Sequence, residues 1–255
     1  MNTRFNMLSV CVLFWITSPL LGEEPRDVIK NAIKAHGGED RLAKTLTGKL
    51  VATADVAPGD GVEAKITWEE SFELPQRYKR VITGKVKGKI EGKMVDEQFR
   101  LEYAITKGVG WMRGNDGPVK DVKGKPLPLS RSWNATLATL PDLLGDDIKL
   151  SLGAKEKVGE VEAIAVKASA TNEGECTLYF STKTGLLMKS KRVMQQPLTG
   201  QDVDGEVVFS DYKEVSGVQY PHRVTSLAGQ KKIFDLQITK IEFLKTLDDK
   251  LFEKP

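Results

Sequence analysis

Histidine and cysteine are almost missing from this chain: two of each in 255 residues, at His36, His222, Cys11 and Cys176. Neither histidine has a nucleophile or a second metal ligand at short spacing, such as the i, i+4 pair of a zinc-binding helix. A zinc centre or nucleophilic triad is therefore not expected. Charge of one sign is also lacking, since 38 basic residues against 35 acidic ones leave a net +3. A nucleic-acid surface would show a strong basic excess. No glycine-rich phosphate cradle is present, because Gly108-Val109-Gly110 has neither the further glycine nor the helix such loops require. The acidic pairs Asp146-Asp147 and Asp248-Asp249 lack the alternating oxygen ligands of a calcium loop and read as turns. A glycosidase pair, which meets only across a folded cleft, leaves no spacing rule to find.

Long apolar runs are lacking except for one, Met7 to Leu21, preceded by Arg4 and followed by Glu23-Glu24. Its 15 residues are fewer than the ~20 a spanning helix needs. Residues 1–22 read as a cleaved signal peptide, with the cut after Gly22, and a periplasmic or secreted location. Cys11 is a poor lipidation site, since Val10 precedes it and apolar sequence continues beyond it. Removing the 22 residues leaves 233 and, with Arg4 gone, takes the net charge from +3 to +2. That length suits one β-rich domain over residues 23–255, with ample core. Cys176 alone remains, so no internal disulfide can form despite export.

What is present is mostly strand. The opening is helical: Val28, Ile29, Ala32 and Ile33 share a face, and Gly37-Gly38 stops the helix. His36 at that terminus reads as a cation complementing the helix dipole, and His222 as a strand surface residue. A shorter helix carries Leu42, Ala43 and Leu46. From Lys49 strands follow, with turns at Pro58 to Gly61, Pro75, Asn115-Asp116-Gly117 and Thr184-Gly185. In the run Val62 to Leu74, Ile66, Trp68, Glu70 and Phe72 share one face; Lys65, Thr67, Glu69, Ser71 and Glu73 share the other. Gly84 to Lys93 is basic and glycine-rich. It reads as a solvated hairpin whose lysines blunt an exposed edge, or as a docking strip for an acidic partner.

Between two runs of strands the period changes. Ser132 can cap a helix that places Trp133, Leu137, Leu140 and Leu144 on one side, with Pro141 kinking or restarting it. Near the end, Phe234, Leu236 and Ile238 occupy one strand phase and Ile241 and Phe243 the other, which predicts a β-bulge near Thr239-Lys240. No internal repeat or domain linker interrupts the series.

The final fifty residues carry the most information. Val207 to Val215, Ser216-Gly217 and Val218 to Val224 read as a hairpin; a strand to Phe243 and the tail Leu247 to Pro255 follow. This order resembles the C-terminal signature of the periplasmic lipoprotein-carrier (LolA/LolB/RseB-like) superfamily, a "dYrevdGvqyP" hairpin before one long strand and an "l.d..F..P" tail. Ala35 to Leu42 is similar to the opening segment of exported members, and Leu186-Leu187-Met188-Lys189 after Thr184-Gly185 also recurs there. The chain is longer than a minimal carrier at Gly84 to Asp96 and Pro118 to Pro128.

The resemblance implies an α+β fold: a strongly curved antiparallel sheet forming an incomplete β-barrel, with an N-terminal helix and a central lid helix. It implies a non-enzymatic carrier or receptor without a cofactor, binding a lipid or acyl chain, or an acylated lipoprotein, with a possible cell-envelope protein partner. A monomer is expected. The apolar side chains expected to line the hollow are Trp68, Phe72, Phe99, Tyr103 and Trp111, with Trp133, Leu137 and Leu140 covering its mouth. The alternative is a sensor or interaction module on the same fold, its interior simply core and Lys85 to Lys93 its docking strip.

Overall fold

A computed structural model describes residues 24–59, 62–90, 92–107, 109–122, 133–170, 174–195, 202–229 and 231–255. The expected signal peptide and Ser132 lie outside the described residues. Helix α1 spans Pro25–Ala35, α2 Glu39–Leu42 and α3 Trp133–Ala138. The strands before α3 are β1 (Thr47–Gly59), β2 (Val62–Glu73), β3 (Arg77–Ile90), β4 (Lys93–Thr106), β5 (Val109–Gly114) and β6 (Lys120–Asp121). Those after it are β7 (Lys149–Val158), β8 (Val161–Ala170), β9 (Gly174–Ser181), β10 (Leu187–Gln195), β11 (Asp202–Val215), β12 (Val218–Ala228) and β13 (Lys231–Phe243).

The thirteen strands among the described residues form one antiparallel sheet in the order β6-β5-β4-β3-β2-β1-β13-β12-β11-β10-β9-β8-β7. Each strand pairs with its chain neighbour, and β1 with β13 joins the two halves. The free edges are β6 and β7, the strands that flank α3 in the chain. The sheet is thus curved and unclosed, the incomplete barrel expected from the sequence.

Alternation along the strands gives the sheet an inner face holding the main apolar cluster and a more polar outer face, which carries a smaller cluster of Val158, Ala163, Ala165 and Tyr179. In β2 residues 62, 64, 66, 68, 70 and 72 are buried while the odd positions are open or half-open. Val28, Ile29, Ala32 and Ile33 of α1 pack into the same inner cluster as Leu50, Ile66, Phe180, Phe209 and Leu236. The phase change in β13 is a bulge at Thr239: Val51 pairs with Lys240 but Ala52 with Ile238. Ile241 and Phe243 thereby return to the core side, where they pack beside Leu236 and Ile238. The helical run after residue 132 is broken as Pro141 demands, α3 ending at Ala138 and a 3₁₀ turn restarting at Pro141–Leu144. Arg26 of α1 donates to the Leu144 carbonyl at 2.7 Å and so ties this segment to the first helix.

Apart from the C-terminal tail, the segments that carried the family resemblance meet at one joint. His36 Nδ1–H donates to the Gln219 carbonyl (2.9 Å), and its Nε2 accepts from the Leu187 amide (3.1 Å). The Tyr212 hydroxyl donates to the Leu187 carbonyl, satisfying the other half of that residue. Gly217, at φ +80° after Ser216 at φ +52°, gives the tight hairpin turn its left-handed pair. Gly37, at φ +115°, lies so close that an added Cβ would stand 2.4 Å from the Gly217 carbonyl oxygen. This corrects the expectation of a cationic cap: His36 is fully buried, and burial pushes its pKa down to about 4, so the ring is neutral.

A second correction concerns Lys85 to Lys93. The segment does form a hairpin, β3 with β4, but of Lys85, Lys87 and Lys89 the first two are paired on both sides, by β2 and β4, and do not guard an edge. Cross-strand carboxylates face two of them: Lys87 pairs in register with Glu63 and Asp96, and Lys85 is 2.7 Å from Asp96.

Candidate functional site

Seven of the eight expected lining residues share the inner face. Trp68 and Phe72 project from β2, and Trp133, Leu137 and Leu140 from the α3 segment; all five are buried in one apolar cluster. Phe99 and Tyr103 on β4 are half-buried against it. Trp111 does not join them. It pairs with Ala104, which pairs with Lys79, and this row lies on the outer face. There the indole Nε1–H donates to the Phe252 carbonyl (3.3 Å) and Lys79 lies over the ring at 5.5 Å. The C-terminal tail covers it: Arg77 stacks on Phe252 at 4.6 Å and holds Glu73 (2.7 Å) and Asp249 (2.6 Å).

The inner face also holds a charge. Glu70, with a fully buried side chain, accepts from Trp68 Nε1 (2.5 Å), the Tyr78 hydroxyl (2.5 Å) and Arg80 Nε (3.0 Å). The Arg80 guanidinium lies 3.9 Å over the Trp68 ring and 4.9 Å over Tyr78. Burial, with Glu70 beside it, pushes the Tyr78 phenol well above its ordinary range and keeps it a donor. This network fixes Trp68 in place, a role the sequence hinted at only by putting a glutamate in the buried phase. A buried carboxylate needs such partners, since an unpaired one costs several kcal/mol.

The outer face carries a groove of about 1330 Å³. Its floor is one cross-strand row through six strands: Arg223, Gln237, Thr53, Thr67, Thr83 and Arg100. Lys65 and Lys85 flank the row. Asp235 holds Arg223 at 2.9 and 2.8 Å, and Glu102 holds Arg100 at 3.0 and 2.5 Å. Each carboxylate is shared, Glu102 with Arg113 and Asp235 with Lys232, so both termini are paired but the groove keeps a basic excess around its hydroxyl and amide groups. Nothing in the strand periods points to it, because the row exists only once six strands are in register.

Among the described residues no cluster of three or more His, Cys, Asp or Glu side chains could hold a metal. No helix among them is long and apolar enough to cross a membrane. Both ring nitrogens of His36 are engaged with backbone groups, so it has no free site for proton transfer. His222 Nδ1 lies 3.1 Å from the Tyr220 carbonyl.

The architecture is that of a LolA superfamily protein from Nitrosomonas europaea, with a TM-score of 0.54, 11 % identity, and 91 % of this chain and 98 % of that one covered. An outer membrane lipoprotein-sorting protein domain from Vibrio parahaemolyticus aligns with a TM-score of 0.47 at 11 % identity, over 87 % of this chain and 97 % of that one. LprF from Mycobacterium bovis aligns with a TM-score of 0.33 at 11 % identity, over 89 % and 99 %. At 11 % identity the first likeness shows a shared fold; the other two, below 0.5, add nothing to it. No protein-family model matches the sequence, and no curated protein matches it either.

Proposed function

We propose that the chain is a non-enzymatic carrier or receptor that takes a lipid or acyl chain, free or on a lipoprotein, against the inner face of the sheet. One observation carries this reading. A single apolar surface is contributed by both halves of an unclosed sheet, and the segment linking its two free edges places Trp133, Leu137 and Leu140 upon it. A surface whose sheet does not close can part at β6 and β7 without breaking a strand pair. Each buried leucine or phenylalanine contributes ~1.5–3 kcal/mol whether its neighbour is protein or lipid, so an acyl chain can replace α3 contacts at little net cost. Trp68, Phe72, Phe99 and Tyr103 form the wall in this reading, and Trp111, on the other face, is left out. Residues 1–22 direct export to the periplasm, and residues 23–255 act there as one monomeric domain without a cofactor.

Native mass spectrometry of the exported form tests it. Adducts of acyl-lipid mass should be retained from expression or acquired on mixing, and deletion of residues 132–144 should abolish retention while the sheet stays folded. A protein indifferent to every acyl lipid offered would overturn the reading.

The outer groove favours a second reading, an interaction module for a cell-envelope partner. Lys85, the first lysine of the basic strip, is part of that groove. Charge reversal at Lys85, Lys87 and Lys89 with pull-down as readout separates the two: partner loss without lipid loss selects this one.

A further inference from the structure

Two inner-face polar atoms are buried without a hydrogen-bond partner, Trp133 Nε1 and Ser190 Oγ. Trp133 is 7 % exposed and Ser190 1 %. Buried polar groups are paired in the great majority of proteins, because an unpaired one loses its hydration with nothing in return. Two such groups facing one interior therefore call for an explanation.

They are drawn to the same part of that interior. Thr136, one helical turn after Trp133, accepts from Arg192 Nη2 at 2.8 Å. Arg192 stands two residues beyond Ser190 on β10, and alternate strand residues share a face. That face is the inner one, because Ser190 pairs with Leu178 and Val207, both members of the apolar cluster. The Thr136–Arg192 bond thus docks α3 on β10 with Trp133 a turn (~5–6 Å between Cβ atoms) from one partner and Ser190 a double step (~7 Å) from the other. Indole and guanidinium groups only donate, and a hydroxyl donates freely. A donor-rich spot inside an apolar surface suits an oxygen acceptor attached to hydrocarbon.

We propose that Trp133 and Ser190, beside the Arg192–Thr136 contact, receive the carbonyl oxygen of an ester- or amide-linked acyl chain. The inference rests on the acyl-binding reading and adds the polar end of the ligand to it. Both unpartnered groups are neutral donors, which suits a neutral carbonyl; a free carboxylate is the competing source of the same oxygen.

Three probes built on a sixteen-carbon chain, delivered from cyclodextrin to residues 23–255, separate the cases: methyl palmitate, palmitate and 1-hexadecene. The wild type should bind methyl palmitate about tenfold more tightly than 1-hexadecene, the worth of one to two hydrogen bonds. Trp133→Phe and Ser190→Ala should each remove most of that advantage and leave 1-hexadecene unchanged. Neither variant should melt lower than the wild type by more than the packing change, since neither loses a hydrogen bond. In the wild type, the Trp133 indole N–H resonance should move downfield with methyl palmitate and stay put with 1-hexadecene, a readout that needs no variant. Equal binding of ester and alkene with a still resonance overturns the carbonyl site while leaving the acyl reading intact. A response of the variants to palmitate alone overturns it in favour of a carboxylate site. Binding of none of the three overturns both.

Discussion

The two faces of this sheet are built from alternate residues of the same strands, yet they differ in how polar groups are treated. On the inner face polar atoms are few and costly. Glu70 is met by Trp68, Tyr78 and Arg80, and His36 by two backbone groups. Outside, Arg223 meets Asp235, Lys85 meets Asp96, and Lys213 meets Asp211, in pairs largely open to water. Exposed pairs of that kind contribute little, because water screens them and their side chains lose freedom in forming them. The inner face thus holds the larger apolar cluster, and two unpaired donors there stand out beside the paired Glu70 and His36.

The sharpest way to break this comparison is to strip the inner charge. Glu70→Ala leaves the half-buried Arg80 beside two aromatic rings without its carboxylate and should cost about 3 kcal/mol in urea unfolding, the low end for a broken buried pair. A loss below ~1 kcal/mol would mean that water already reaches the pair.

Comparable in size is the acid response of His36. The unfolded chain takes up this proton near pH 6.5, the folded chain only near pH 4. The lowered value means the folded state favours the neutral ring, so stability is complete above pH 6.5, falls as the pH drops, and levels off below 4. The fall amounts to about 3 kcal/mol. A His36→Gln variant should be less stable at pH 7 but should lack this portion of the decline, seen as the difference between the two pH–stability curves. Parallel curves would show that the ring is not held neutral.

The smallest effect is expected outside. Lys85→Glu, on an exposed pair of the groove, should leave the melting midpoint unchanged and acyl binding intact. A clear drop in either would erase the distinction between the faces.

Much of the inner face was legible in the sequence because alternation is strict there. The buried phase of β2 and the bulge at Thr239 follow from where Ile66, Trp68, Phe72, Leu236, Ile238, Ile241 and Phe243 stand. Trp111 was not legible. It is followed by Met112, so both phases of β5 carry a large apolar residue, and only the pairing with Ala104 decides the face. His36 looked like a cap because a helix ends there; that a hairpin from residues 216–219 closes over it is a long-range fact. The same fact explains why the family-like residues cluster where they do. Ala35 to Gly38, Leu187, Tyr212 and Gly217 are the joint between α1 and the sheet, so they report fold rather than ligand. The groove, and the docking of Thr136 on Arg192, depend on register and chain docking that no local pattern encodes.

Residues 23–255 hold three tryptophans, and they divide the faces: Trp68 and Trp133 inside, Trp111 outside. Single-tryptophan variants, the other two changed to Phe, can be titrated with an acyl lipid brominated along its chain. Quenching of Trp68 and Trp133 with Trp111 untouched is the predicted result. Equal quenching of all three, or of Trp111 alone, would contradict an acyl chain held against the inner face.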